Sequence, residues 1–234
     1  VAHSFPTRRS SDLADRAAER AMRDILARDR PGDAILGEEF AATAGETGLT
    51  WVLDPIDGTR GYVAGTPTWG TLIAVRDARA VLFGLIDQPY IGERFAGGAG
   101  RAVLRRAGGP EGPIGVRDAG GLSRARLFTT FPEIGSAAER AAFDRVAARV
   151  EMVRYGMDCY AYALLAAGQI DLVIEAGLKP HDIAGPIGVI EAAGGIVTDW
   201  EGGPVVDGGR AVAAGSRAVH AAALACLAGD APLG

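Results

Sequence analysis

WVLDPIDGTRGY, residues 51–62, carries a short apolar run straight into a turn that holds two acids. Trp51, Val52 and Leu53 favour an extended, half-buried backbone. Asp54 and Asp57 follow at once, separated only by Pro55 and Ile56. Proline fixes φ and forbids a continuing helix, and Gly58 relieves the backbone immediately after. A turn of this kind aims both carboxylates and the intervening Ile56 carbonyl at one point. Hard oxygen donors of that sort suit Mg²⁺, which prefers carboxylates, water and substrate phosphate. Asp, Pro and Gly are equally the residues of an ordinary turn. Thr59 weighs against that plainer account: its hydroxyl can orient a water and its backbone N–H can hold a phosphate oxygen.

Acids at strand ends recur outside this stretch. Ala34-Ile35-Leu36 reads as a strand that delivers Gly37-Glu38-Glu39, so Glu38 sits at a sheet edge as Asp54 does. Asp182 stands at the start of a predicted helix, where a simple N-cap is the competing role. Carboxylates gathered without basic partners repel one another and hold on to protons unless a cation neutralises them. The concentration of acids therefore itself argues for a metal.

The remainder of the chain alternates strands and helices. Apolar positions Ala14, Ala18, Met22, Ile25 and Leu26 predict a helix over 14–30, ended by Pro31-Gly32. Strands are predicted at 51–53, 71–75, 81–86, 93–96 and 102–104, the middle ones antiparallel. The Gly- and Pro-rich segment 107–121 marks a boundary between a half at 14–110, with most of the metal ligands, and a half at 111–234, with the last ligand and the substrate pocket. Beyond it the pattern is strand 126–130, helix 136–149, strand 151–154, helix 159–167, strand 170–175, helix 182–193, strands 196–199 and 211–214, and helix 216–227. A layered α/β sandwich follows. Residues 1–13 (VAHSFPTRRSSDL) show no periodicity and resemble a translated sequencing adapter. They are expected to be non-native to the fold, and His3 falls among them.

Composition narrows the function. Of 234 residues, 48% are hydrophobic and 23% charged, which excludes a disordered chain. Lys and Arg number 24 against 29 Asp and Glu, a net charge of −5, so a nucleic-acid backbone is not the expected partner. An anionic ligand would instead need a metal ion to meet it. Cys159 and Cys226 lie far apart in apolar helical contexts, which argues against a disulfide framework or zinc site. No apolar run reaches membrane-spanning length and no signal segment opens the chain. A cytoplasmic protein without membrane partners is expected.

The motif WVLDPIDGTRGY, with GEE upstream and KPHDIAGPIGVIEAAGG downstream, resembles the inositol monophosphatase family of Mg²⁺-dependent, lithium-sensitive phosphatases. The likeness spans residues 14–227 and implies the family's αβαβα sandwich and homodimer. PTWGTLIAV, and LKPHD in place of the commoner Trp-Asp, look most like its histidinol-phosphate phosphatases of histidine biosynthesis. An inositol-1-phosphatase or broad sugar phosphatase is the alternative. By position, the resemblance implies two to three Mg²⁺ held by Glu38, Asp54, the Ile56 carbonyl, Asp57 and Asp182. It implies phosphate binding at Asp57, Gly58 and Thr59, and a water activated by Thr59 and Glu38. His181 stands where the wider family has Trp, and Asp15 falls where the family has an Asp near the metals.

The leaving-group side is expected from the second half. Glu175 ends a strand seven residues before Asp182, and Asp158 lies at a helix start; both, with Asp182, match substrate-contacting positions of the family. Solvation at a strand end and a favourable helix dipole are the ordinary roles for Glu175 and Asp158. Two acids facing the leaving group suit an amine better than a polyol. Arg60 either pairs with an acid across a subunit, supports the loop or is a plain surface residue; His220 is a surface or packing residue, and Cys159 a buried structural one.

Overall fold

Burial alternates along the strands and so sorts side chains into layers. In β3 (Gly70–Arg76) Gly70, Leu72 and Ala74 are buried and their neighbours are not; in β4 (Val81–Gln88) Gly84, Ile86 and Gln88 are. The computed structural model describes residues 8–230. These strands belong to a seven-stranded sheet in sequence order, with β1 (Ala34–Gly37), β2 (Thr50–Asp57), β5 (Glu93–Gly98), β6 (Arg101–Arg106) and β7 (Glu111–Pro113). Only β1 and β2 pair parallel within it; the other neighbours are antiparallel. The second half forms a five-stranded sheet from β8 (Arg126–Thr129), β9 (Met152–Tyr155), β10 (Leu172–Leu178), β11 (Ile196–Thr198) and β12 (Gly209–Ala214), in the order β11-β12-β10-β8-β9.

Helices fill three layers around the two sheets. α1 (Arg8–Asp29) covers the outer face of the first sheet, where Leu26 packs with Ile35 and Leu53. α4 (Cys159–Ala166) and α5 (Pro180–Ala192) lie between the sheets, so that Leu72, Ile86 and Phe95 share one core with Ile183, Ile187 and Val173. α3 (Ala137–Ala147) and α6 (Arg217–Ala228) cover the outer face of the second sheet through Phe143, Val146, Val219 and Ala223. The result is the layered αβαβα sandwich. Each fully buried Val, Leu, Ile or Phe of these cores contributes roughly 1.5–3 kcal/mol of apolar burial.

α5 is the seam. It follows a strand of the second sheet yet lies flat on the first, because glycines meet where the two backbones cross. A Cβ on Gly188 would collide with the Gly84 backbone nitrogen, and a Cβ on Gly84 would collide with the Gly185 carbonyl. The N-terminus of α5 carries Asp182, so this close approach sets where that carboxylate stands.

Four details differ from the sequence reading. Residues 8–13 are not excluded from the fold; they form the first turns of α1, because nothing in RRSSDL breaks a helix, and Ser11 is fully buried. Residues 1–7, His3 among them, lie outside the described residues. The expected turn at 54–57 is strand instead: β2 runs on through Pro55 to Asp57, with a register shift between Asp54 and Asp57 opposite β3. Proline lacks a ladder donor, and a bulge accommodates it. The short α2 (Thr59–Ala64) was not foreseen. The segment at 107–121 is also more than a connector, since β7 adds a last strand to the first sheet beyond residue 110.

Candidate active site

The bulge at Asp54 and Asp57 turns both carboxylates toward the end of β2, and three elements bring others to meet them. One oxygen each from Asp54, Asp57 and Asp182 lies within 4.8 Å of the others, and so do ligand atoms of Glu38, Asp54 and His181. Glu38 comes from the loop after β1, and Asp182 from the first turn of α5. There the Lys179 N–H donates to Asp182 Oδ2 at 2.7 Å, which places Asp182 inside the helix start and leaves Oδ1 to the cluster. Asp57 Oδ2 accepts from the Cys159 N–H at 2.7 Å, which ties the end of β2 to the start of α4.

This cluster is electrostatically incomplete by itself. Asp54 is 1% exposed and its Oδ1 has no hydrogen-bond partner. Burial, then the charges of Asp57, Glu38 and Asp182, push its carboxyl well above the usual carboxylate range. Asp57 is pushed up to about 8 by burial, then by Asp158 and Asp182. An unpartnered buried carboxylate oxygen inside a ring of other carboxylates is the arrangement a hard divalent cation satisfies. These residues therefore fit a metal.

Thr59 opens α2 directly after Gly58, and its hydroxyl donates to the Ile56 carbonyl at 3.1 Å. Gly58 has φ +81°, and a Cβ there would stand 2.7 Å from Asp158 Cγ, so no side chain fits between this turn and the second half. Asp158 itself holds a positive φ of 47° at the cap of α4. No cap hydrogen bond of its own accounts for that conformation. Its carboxylate accepts from Thr68 Oγ1 at 3.0 Å, and burial raises its pKa. A side chain held in a rare backbone conformation at a cavity wall is a functional signal.

Glu38, Asp57, Gly58, Thr59, Asp158, Glu175 and Asp182 line one cavity of about 470 Å³. Asp54 and Ile56 are buried and do not line it. Glu175 accepts from the Thr130 N–H at 2.6 Å, from Thr130 Oγ1 at 2.9 Å and from Thr129 Oγ1 at 3.2 Å. Burial nevertheless lifts its carboxyl to about 7. The structure thus brings together every residue singled out for metal, phosphate and leaving group.

Neighbouring residues acquire definite places. His181 is buried, with Nε2 unpartnered 3.8 Å from Glu38 and 3.6 Å from Asp182. Asp15 is buried in α1, and desolvation, then the charges of Glu39 and Glu38, lift its carboxyl to about 7. Arg60 stacks its guanidinium 4.8 Å over the Phe131 ring at the cavity mouth. His220 is buried and shares a 2.8 Å hydrogen bond with Thr198, and Cys159 is buried as a free thiol.

Sequence reasoning missed Glu19 and Tyr162. Glu19 is fully buried, pairs with Arg23 at 2.7 Å and accepts the Glu39 N–H at 2.7 Å, so α1 anchors the Glu38 loop. Its signal was the four-residue spacing from Asp15, one turn on the same helix face. Tyr162 stands four residues after Asp158 and lines the cavity. A larger cavity, about 550 Å³, lies between α3 and α6, but Arg145 and Arg210 in its wall are already paired with α6 carbonyls and with Glu201.

Two stacked sheets with an acid-ringed, metal-fitting cavity where their strand ends meet define a layered α/β phosphatase scaffold. The chain belongs to the inositol monophosphatase family of phosphatase hydrolases, whose sequence profile matches residues 9–232. It is 43% identical over 226 residues to the chloroplastic bifunctional phosphatase IMPL2 of Arabidopsis thaliana, covering 92% of this chain and 64% of that protein. It is 35% identical over 202 residues to the histidinol-phosphatase of Mycobacterium tuberculosis, covering 86% of this chain and 78% of that one. An inositol monophosphatase from Zymomonas mobilis shares the fold with a TM-score of 0.82 at 35% identity, over 97% of this chain and 88% of that one. Among the described residues no helix is long and apolar enough to cross a membrane.

Proposed function

We propose that this chain is a Mg²⁺-dependent phosphomonoesterase that converts L-histidinol phosphate to L-histidinol, a step of histidine biosynthesis. The observation that carries the substrate is the pair of acids, Asp158 and Glu175, in the cavity wall contributed by the second sheet. An inositol phosphate presents only hydroxyls beside its phosphate, whereas histidinol phosphate presents an ammonium and an imidazole. A buried carboxylate with a raised pKa gains most from a cationic partner, since pairing relieves its desolvation. Identity to the mycobacterial histidinol-phosphatase supports the same reading.

Glu38, Asp54, the Ile56 carbonyl, Asp57 and Asp182 would hold the ions, and bound Mg²⁺ supplies a water of lowered pKa and neutralises phosphate charge. Thr59 directs its proton to the Ile56 carbonyl, which leaves its oxygen lone pairs free to accept from the attacking water and orient it. Glu38, at the cavity edge, takes the second proton of that water as general base. The N–H groups of Gly58 and Thr59 hold a phosphate oxygen, and the αL turn at Gly58 presents them. Asp158 and Glu175 hold the leaving alcohol on the opposite wall. Water attacks in line as the bond from phosphorus to the leaving oxygen breaks, the leaving alkoxide takes a proton from solvent water, Glu38 returns its proton to solvent, and no covalent phosphoenzyme forms.

Phosphate release from L-histidinol phosphate, inositol 1-phosphate and fructose 1,6-bisphosphate, with and without Mg²⁺, tests the proposal. The expected result is Mg²⁺-dependent release with kcat/KM highest for L-histidinol phosphate. Equal or faster release from inositol 1-phosphate replaces the substrate and keeps the hydrolysis.

A further inference from the structure

His181 brings an imidazole into a cluster of carboxylates, and its inner nitrogen has no partner among the described residues. The side chain is 9% exposed, and Nε2 makes no hydrogen bond. It stands 3.8 Å from Glu38 Oε1 and 3.6 Å from Asp182 Oδ1, beyond hydrogen-bond distance of both. A buried polar atom left unpaired is unfavourable, and its place beside two carboxylates calls for a group between them. One ligand atom each of Glu38, Asp54 and His181 lies within 4.8 Å of the others, and Asp54 Oδ1 is unpartnered as well. Bonds of about 2.0–2.2 Å to a common ion separate its ligands by roughly 3–4.4 Å. The three donors are close enough to share one ion.

The start of α5 holds the nitrogen there. Pro180 opens the helix, and the Lys179 N–H bond to Asp182 Oδ2 closes its first turn around His181. Ile183 and Ala184 follow fully buried, which fixes the turn against the core. Two donor sets result, and they share Asp54. Asp54, Asp57 and Asp182 offer oxygen alone, whereas Glu38, Asp54 and His181 offer two oxygens and a nitrogen. All-oxygen donors suit Mg²⁺, which is hard and holds its water; neutral imidazole nitrogen suits the softer first-row transition ions.

We propose that His181 Nε2 is a metal ligand on the Glu38 side of the cluster, so that this position selects a first-row transition ion such as Mn²⁺ while the Asp57 and Asp182 side takes Mg²⁺. This rests on the metal binding of the reading above and is independent of its substrate.

Pulsed EPR of the untagged chain, with one equivalent of Mn²⁺ in about a tenfold excess of Mg²⁺, tests it. Electron spin-echo envelope modulation reads nitrogen bonded to the paramagnetic ion. The expected result is a ¹⁴N modulation that changes to the ¹⁵N pattern when histidine is ¹⁵N-labelled. His181→Gln should lose the modulation, weaken Mn²⁺ about tenfold in calorimetry and change Mg²⁺ affinity less than about twofold. A chain with His3→Gln and His220→Gln keeps only His181 and leaves the cluster untouched; it should retain the modulation, which decides the assignment even where His181→Gln folds poorly. Displacement of Mn²⁺ by Mg²⁺, bound Mn²⁺ without nitrogen modulation, modulation that survives His181→Gln, or equal weakening of both ions would overturn the assignment. The two readings fail separately, because coordination is read without substrate. Nitrogen-bound Mn²⁺ in a chain that releases no phosphate removes the phosphatase reading alone. Mg²⁺-dependent release with Mn²⁺ bound by oxygen only removes the role of His181 alone.

Discussion

The two sheets contribute to the cavity in different ways. The first supplies a cluster compressed into a few residues, with Asp54, Ile56, Asp57, Gly58 and Thr59 following one another along the end of β2. The second supplies Asp158 from the start of α4 and Glu175 from β10, each placed by contacts with residues far away in sequence. Phosphate chemistry is the same for every phosphomonoester, so one rigid turn can carry it. Leaving groups vary, and a wall assembled from several elements can change one residue at a time while the reacting end stays intact.

The largest expected effect comes from the first sheet. Asp54→Asn should lower kcat/KM about a thousandfold, because it removes the central buried acid of the cluster. The same variant should not be less stable without metal, since a carboxylate repelled by Asp57, Glu38 and Asp182 is gone. Melting with and without Mg²⁺ checks both halves of this: the rise in Tm produced by Mg²⁺ should shrink in the variant. A full-sized rise would place the ion elsewhere.

Next is the seam between the halves. Gly188→Ala sets a methyl group against the Gly84 backbone, with no flexible side chain to give way. A loss of about 3 kcal/mol is expected in denaturant unfolding. Activity should fall with it, because α5 carries Asp182 to the cluster. Intact stability would mean that α5 can slide on the first sheet.

The second sheet has its own signature in pH. Glu175 is raised by burial to about 7 in the folded chain, against 4.5 ordinarily. Between those values the folded chain holds a proton that the unfolded chain has released. Its contribution is therefore greatest below the window and is lost as pH rises through it. Metal-free protein should be more stable near pH 5 than near pH 8, and Glu175→Gln should flatten the difference by on the order of 3 kcal/mol. Unfolding curves at the two pH values measure it; an unchanged difference in the variant would assign the slope to other groups.

The smallest effect belongs far from both walls. Ser136 caps α3, accepting from the Glu139 N–H while Glu139 Oε2 accepts from the Ser136 N–H at 2.7 Å. Ser136→Ala should lower stability by about 1 kcal/mol and leave kcat/KM unchanged. A change in kcat/KM would show that the outer helix layer communicates with the cavity.

Much of this molecule is legible in the order of its residues, for a local reason. Asp54, Pro55, Ile56, Asp57 and Gly58 are consecutive, so two acids, a carbonyl and a backbone-relieving glycine stand within one short stretch, and the metal and phosphate chemistry can be read from them. The helices at 159–167 and 216–227 are equally plain from apolar spacing and the cap at Ser216, which accepts from the Val219 N–H. Contact between distant residues is settled only by packing. Proline suggested a turn where β2 in fact continues, because pairing with β3 outweighed the local preference and a bulge absorbed the misfit. Sequence spacing also did not reveal that α5 would lie on the first sheet, that Asp158 would press against Gly58, or that the Tyr162 hydroxyl would lack a partner. Local order determined which acids act together; the crossing of α5 over Gly84 and the cap geometry of α4 determined what faces them, because those positions depend on shapes that meet only in the folded chain.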